Sequence, residues 1–190
     1  MKKSTILYLL LMLTICSYGQ ERVKSYQLYS KKGLTYKKTD NTLFNGISEF
    51  KRERKNHIVF EEYYHNGIKT KYIEYYNTDE VIVCKEIIYH ENSPEKKKFT
   101  KFSLDGKRRS LTYYDLNGKK ELEETYRHDI LTYRCEYLNG KRKFEEAYKN
   151  DVLVYSCEYL NGKKHGKKFC ITKKHESHTE FYENGKKVSR

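Results

Sequence analysis

Three groups of residues have types and spacings that could carry chemistry. The first is His175-Glu176-Ser177-His178-Thr179-Glu180, which gathers metal-ligating side chains. On a strand, Glu176, His178 and Glu180 share a face and His175 points away. No Cys/His spacing of a zinc site accompanies them, so the segment reads as a solvated polar strand and no metal is assigned. The second is the basic run around Gly162 and Gly166: Lys163, Lys164, His165, Lys167 and Lys168. It lacks the Gly-Lys-Ser/Thr ending of a phosphate loop. As a hairpin it could present several cations to an anion, and these five residues are the candidate anion-binding site. The third is aromatic. Tyr133, Tyr137, Phe144, Tyr148, Tyr155 and Tyr159 form a candidate binding face, on which sugars or bases could stack. Arg142 between Tyr137 and Tyr159 would suit a cation–π sandwich. Glu146 is a lone carboxylate on that face, without the second acid that glycoside hydrolysis needs. No serine–histidine or cysteine–histidine pair is brought together either. The chain therefore reads as a non-enzyme without a cofactor.

The elements that position these residues announce themselves by repetition. A turn signal with a tyrosine two residues ahead recurs about every eleven residues, as at Tyr64 to Gly67, Tyr75 to Thr78, Tyr137 to Gly140, Tyr148 to Asp151, Tyr159 to Gly162 and Tyr182 to Gly185. A short fixed period means repeated supersecondary units. Asn-Gly supplies the positive φ of two-residue type I′ hairpin turns, so strands of seven to nine residues alternate with turns from Ile47 to Lys187. Residues 31–46 read as a first hairpin-like unit, and residues 91–98 as a longer loop. Residues 129–141 match 151–163 at an offset of 22, so one full repeat is two strands.

Treating Asn139-Gly140 and Asn150-Asp151 as two-residue turns predicts the register. Phe144 would face Cys135 on one side and Cys157 on the other. Glu146 would lie between Tyr133 and Tyr155, and Tyr148 between Leu131 and Leu153. All these residues then share one face, in rows such as Cys135–Phe144–Cys157. Two cysteines two strands apart, roughly 9.5 Å, are beyond disulfide reach. Cys135 and Cys157 are expected unbonded, as small packing residues. Cys84 and Cys170 have no assigned pairing.

Composition agrees with a thin, wet sheet. Only 37% of residues are hydrophobic, yet the chain has 20 Tyr and 8 Phe, and a disordered chain would be poor in aromatics. Tyrosine covers a half-exposed sheet well, since its hydroxyl stays solvated. Lys2 and Lys3, the apolar run Ile6 to Ile15 and Ser17-Tyr18-Gly19 read as a signal peptide over 1–19, cleaved before Gln20. Residues 20–30 are then a lead-in and 31–190 the repeat domain. The apolar run is too short for a stable span. Ile15 before Cys16 argues against a lipid anchor at that cysteine. Export to the periplasm, envelope or medium is expected, and it argues against nucleic acid as the ligand. Loss of two lysines with residues 1–19 lowers the formal charge from +13 to +11. Such a surface suits an anionic lipid or polysaccharide of the envelope, leaves peripheral membrane contact open, and also serves to solvate the sheet.

The units at Glu158 to Gly166 and Phe181 to Lys186 resemble MORN-type repeats, in the bacterial form Tyr-x-Asn-Gly-Lys. Gly33-Leu34-Thr35-Tyr36 followed by Leu43-Phe44-Asn45-Gly46 is similar to the start of bacterial YwqK-family antitoxin proteins. The resemblance covers about residues 31–187. It implies an all-β, elongated, single-layer antiparallel meander, curved and lined with aromatics on one face. It also implies a non-catalytic scaffold that binds a protein or an envelope component. The alternative it implies is an antitoxin or immunity protein that neutralises a toxin by direct binding.

Overall fold

A computed structural model describes residues 20–52, 57–172 and 176–189. The signal-peptide segment 1–19, with Cys16, and His175 lie outside the described residues.

The chain is all-β. After β1 (Arg22–Lys24) and a 3-10 turn (Ser25–Gln27), β2 (Leu28–Lys31) and β3 (Leu34–Lys37) form a small hairpin of their own. The rest is one open sheet. Its strands are β4 (Gly46–Arg52), β5 (His57–His65), β6 (Ile68–Tyr75), β7 (Val83–Tyr89), β8 (Lys96–Phe102), β9 (Arg108–Tyr114) and β10 (Lys120–Arg127), then β11 (Ile130–Leu138), β12 (Lys141–Lys149), β13 (Val152–Leu160), β14 (Lys163–Ile171), β15 (Ser177–Glu183) and β16 (Lys186–Val188). From β4 to β16 each strand pairs antiparallel with the next in sequence, and β1 joins the outer edge of β4 in parallel, making 14 strands. Both outermost strands have only three residues, which limits the free edge available for further pairing.

The meander and its two-strand repeat are as the turn spacing predicts. The boundaries differ at the start and at the expected 91–98 loop, whose last three residues, Lys96 to Lys98, open β8. The first hairpin opens at Leu28, inside the segment read as a lead-in, and that segment also supplies β1. The β2–β3 hairpin docks on the Asn66-Gly67 turn. Thr35 N–H donates to the Gly67 carbonyl (2.8 Å), Gly67 N–H to that of Phe44 (2.8 Å), and Phe44 N–H to that of Thr35 (3.0 Å). Phe44 is fully buried against Tyr64. Gly67 has a φ of +74°, and a Cβ there would stand 2.8 Å from the Thr35 carbonyl oxygen.

The register departs from the two-residue-turn expectation because most hairpins carry a β-bulge. Between β11 and β12, Tyr137 faces Arg142 as expected, but the register then shifts and Cys135 faces Glu145. Between β12 and β13, Glu145 faces Cys157 and Ala147 faces Tyr155. The extra residue on a bulged strand moves everything beyond it to the other face. The row is thus Cys135–Glu145–Cys157, not Cys135–Phe144–Cys157, and Ala147, not Glu146, lies between Tyr133 and Tyr155. Phe144 instead faces Glu136 and Glu158, and Tyr148 keeps its partner Leu153, both on the opposite face. The two-strand separation of Cys135 from Cys157 stands, and both thiols are free.

With one layer, the core is a thin midline on each face. On the first face, Thr112, Cys135, Glu145 and Cys157 are buried; on the second, Glu61, Ile73, Thr100 and Leu111. Flanking rings and long side chains provide the cover that a second layer would otherwise give.

Candidate functional site

On the first face, Tyr133 and Tyr137 flank Cys135, and Tyr155 and Tyr159 flank Cys157, because alternate residues of one strand share a face. A cysteine is small enough to let its two tyrosines lean over it, which is why Cys135 and Cys157 are 0% and 1% exposed in a single-layer sheet. Burial pushes the Cys135 thiol up, so it stays protonated and unreactive. Burial likewise raises Tyr137, whose hydroxyl donates to Glu123 at 2.8 Å. Lys120 sits over the Tyr137 ring at 5.6 Å and reaches the same Glu123. Arg142 lies opposite Tyr137, but its charge is directed to Glu145 at 3.1 Å; this replaces the expected sandwich between two rings. Lys120–Glu123 and Arg142–Glu145 are both three residues apart. On a regular strand such residues point to opposite faces, so these pairs exist only because of the bulges.

Of the candidate aromatic face, the structure brings together Tyr133, Tyr137, Tyr155 and Tyr159. It places Phe144 and Tyr148 behind them, on the second face. The candidate basic site divides in the same way. Lys163 to Lys168 lie on strand β14, not in a turn, so neighbours alternate. Lys164 and Lys168 are on the first face, both over the Tyr182 ring, and Lys168 pairs with Glu180 at 2.8 Å. His165 and Lys167 belong to the second face, where Lys167 faces Phe181. Gly166 faces Tyr182 and has a φ of +84°. The Glu158 carboxylate folds over it and accepts the N–H of Lys167 at 2.8 Å, leaving no room for a Cβ.

Two carboxylates gather several donors each. Glu180 accepts from Lys168, Lys187 and Tyr182, and these hydrogen bonds hold it well below the usual carboxylate range. Glu61, on the second face, is opposed by burial, but hydrogen bonds from Arg22, Tyr75 and Tyr63 outweigh it and lower its pKa. This ties β1 to the sheet. Glu180 is thus already engaged by cations, and His178 lies 3.4 Å from it. Among the described residues no group of three His, Cys, Asp or Glu stands ready to hold a metal ion. A groove between the docked hairpin and the 90–95 loop is lined by Tyr64, Tyr89, Lys69 and Pro94, but Lys69 is paired with Glu62 at 2.6 Å.

The arrangement that residue-by-residue reading missed lies at the turns. Each of the four C-terminal Asn-Gly turns is followed by a basic pair: Lys119-Lys120, Lys141-Arg142, Lys163-Lys164 and Lys186-Lys187. The second member points to the first face and is engaged there: Lys120 by Glu123, Arg142 by Glu145, Lys164 by the Tyr182 ring and Lys187 by Glu180. The first member is exposed at the tip. The recurrent Gly-Lys-Lys was the available signal; it marks one position across strands, not a cluster along one strand.

No helix among the described residues is long and apolar enough to cross a membrane. No protein-family profile matches the chain, and no curated protein matches it.

Proposed function

We propose that this chain is an exported, non-catalytic repeat scaffold of the MORN type, which binds a protein or an anionic component of the cell envelope. The observation that carries the reading is the way the first face is closed on itself. Glu123, Glu145 and Glu180 are each taken by a neighbouring cation, and Tyr137 and Tyr182 donate to two of them. Groups so engaged build a rigid support and have little left for proton transfer or nucleophilic attack. What is offered outward is a long, regular, basic surface, which suits recognition. The test is affinity purification of the mature protein from the envelope fraction. The reading expects a defined envelope protein or acidic polymer to co-purify. Recovery only in the cytoplasm, or in a stoichiometric complex with a toxin whose activity it blocks, would replace it with the antitoxin reading.

A further inference from the structure

We propose that the C-terminal turn edge is a rail for a linear acidic polysaccharide, gripped by Lys119, Lys141, Lys163 and Lys186. The proposal rests on the scaffold reading and names the ligand class of its anionic branch. Consecutive tips stack in register. A Cβ on Gly140 would stand 3.5 Å from that of Lys119, on Gly162 3.7 Å from that of Lys141, and on Gly185 4.0 Å from that of Lys163. The four lysines therefore stand in single file, one per two strands, at steps of roughly 9.5 Å. All four are exposed, and none has a carboxylate at ion-pair distance among the described residues. Three nearby acids are occupied: Asp115 accepts the N–H groups of Asn117 and Lys119, Glu136 is held by Arg134 and Lys143, and Glu158 by the N–H of Lys167; the Glu95 carboxylate, 2.7 Å from where a Cβ on Gly118 would stand, weakens the first step. Glu183, opposite Lys186, is the one acid that weakens the last step.

A row of single cations at this spacing complements a polymer with one acid group per disaccharide, since an extended β-linked disaccharide spans about the same length. Exposed Leu138 and Leu160, each opposite its tip lysine, offer apolar contact to the sugar rings. A sheet of ordinary twist rotates by about 20° per strand, so the tips turn progressively away from any one plane. A flexible chain can follow that path over four tips, whereas a flat bilayer would meet only one or two.

The test titrates the mature protein with hyaluronate oligosaccharides of increasing length, which carry one carboxylate per disaccharide. Affinity should rise with each disaccharide up to about four and then level off, and should fall steeply with salt. Each Lys→Gln change at 119, 141, 163 or 186 should weaken binding by about two- to fivefold, and the quadruple variant should abolish it with unchanged circular dichroism. Lys107→Gln with Lys149→Gln, on the opposite edge, should have no effect. Equal binding by the quadruple variant overturns the proposal. So does binding to phosphatidylglycerol vesicles without binding to the oligosaccharides, which would leave the scaffold reading standing with a lipid ligand. Failure to bind either probe overturns the rail while the envelope purification still tests the scaffold.

Discussion

The two turn edges of the sheet are built from the same repeat but solve the turn differently. On the edge that carries Gly67, Gly140, Gly162 and Gly185, the turns at these glycines are Asn-Gly, and only asparagine and glycine adopt positive φ. On the other edge, His128-Asp129 and Asn150-Asp151 place two non-glycine residues in succession at positive φ, between +50° and +62°. For an L-residue that conformation costs about 1–2 kcal/mol, less for Asn and Asp. The first edge is thus relaxed, stacked and followed by free lysines. The second carries local strain and mixed charge, with Asp129 already paired to Arg109. The proposed recognition surface lies on the edge whose turn geometry is cheap and regular.

The largest effect expected from breaking this contrast is at Gly67. Alanine there combines left-handed strain with a clash against Leu43 and the Thr35 carbonyl, so Gly67→Ala should destabilise by about 3 kcal/mol. Gly106→Ala, on the opposite edge, has the same strain at φ +68° but nothing within 4 Å, and should cost about 1–2 kcal/mol. Urea unfolding of both variants compares them directly; equal losses would deny that the N-terminal hairpin is docked on the first edge.

Acid should weaken the sheet while the carboxylates that hold the lysines are still ionised in the fold. Glu180 is depressed in the folded state by Lys168, Lys187 and Tyr182. A depressed carboxylate contributes stability that is complete above its unfolded value of about 4.3 and is lost as pH falls through the folded value. Glu61 acts in the same direction at the other end of the sheet. The melting temperature should therefore drop as pH is lowered from about 5 to about 3, and Glu180→Gln should flatten part of that drop. An unchanged profile in Glu180→Gln would show that Lys168 and Lys187 are not held by this carboxylate.

The smallest effect sharpens the comparison of turns. Asp151→Gly relieves about 1 kcal/mol of left-handed strain but adds chain entropy to the unfolded state, about 0.5 kcal/mol, for a net gain of about 0.5 kcal/mol. Asn139→Asp at the relaxed edge should give no gain. Chemical denaturation resolves the pair, and destabilisation by Asp151→Gly would remove the strain argument.

The sheet was largely legible because each turn carries its own mark. Asn-Gly and tyrosine two residues earlier locate the strand ends, and their even spacing leaves a meander as the simplest connection. The bulges were not legible. The additional residue between Tyr137–Arg142 and Glu136–Phe144 looks like any other strand residue, yet it transfers Phe144 and Tyr148 to the second face. Only the three-residue spacing of Lys120–Glu123 and Arg142–Glu145 hints at it. The basic site was misread for a related reason: Lys163 to Lys168 are close in sequence, but a strand sends neighbours to opposite faces, while Lys119, Lys141, Lys163 and Lys186 are distant in sequence and stacked in space.

The most direct test is the reactivity of the paired lysines at the last two tips. Brief acylation of the folded protein at neutral pH, read by peptide mass spectrometry, should modify Lys163 and Lys186 rapidly and Lys164 and Lys187 slowly. Acidic oligosaccharide should protect the first member of each pair and leave the second unchanged. Equal rates within a pair, or protection confined to Lys164 and Lys187, would contradict the proposed recognition surface.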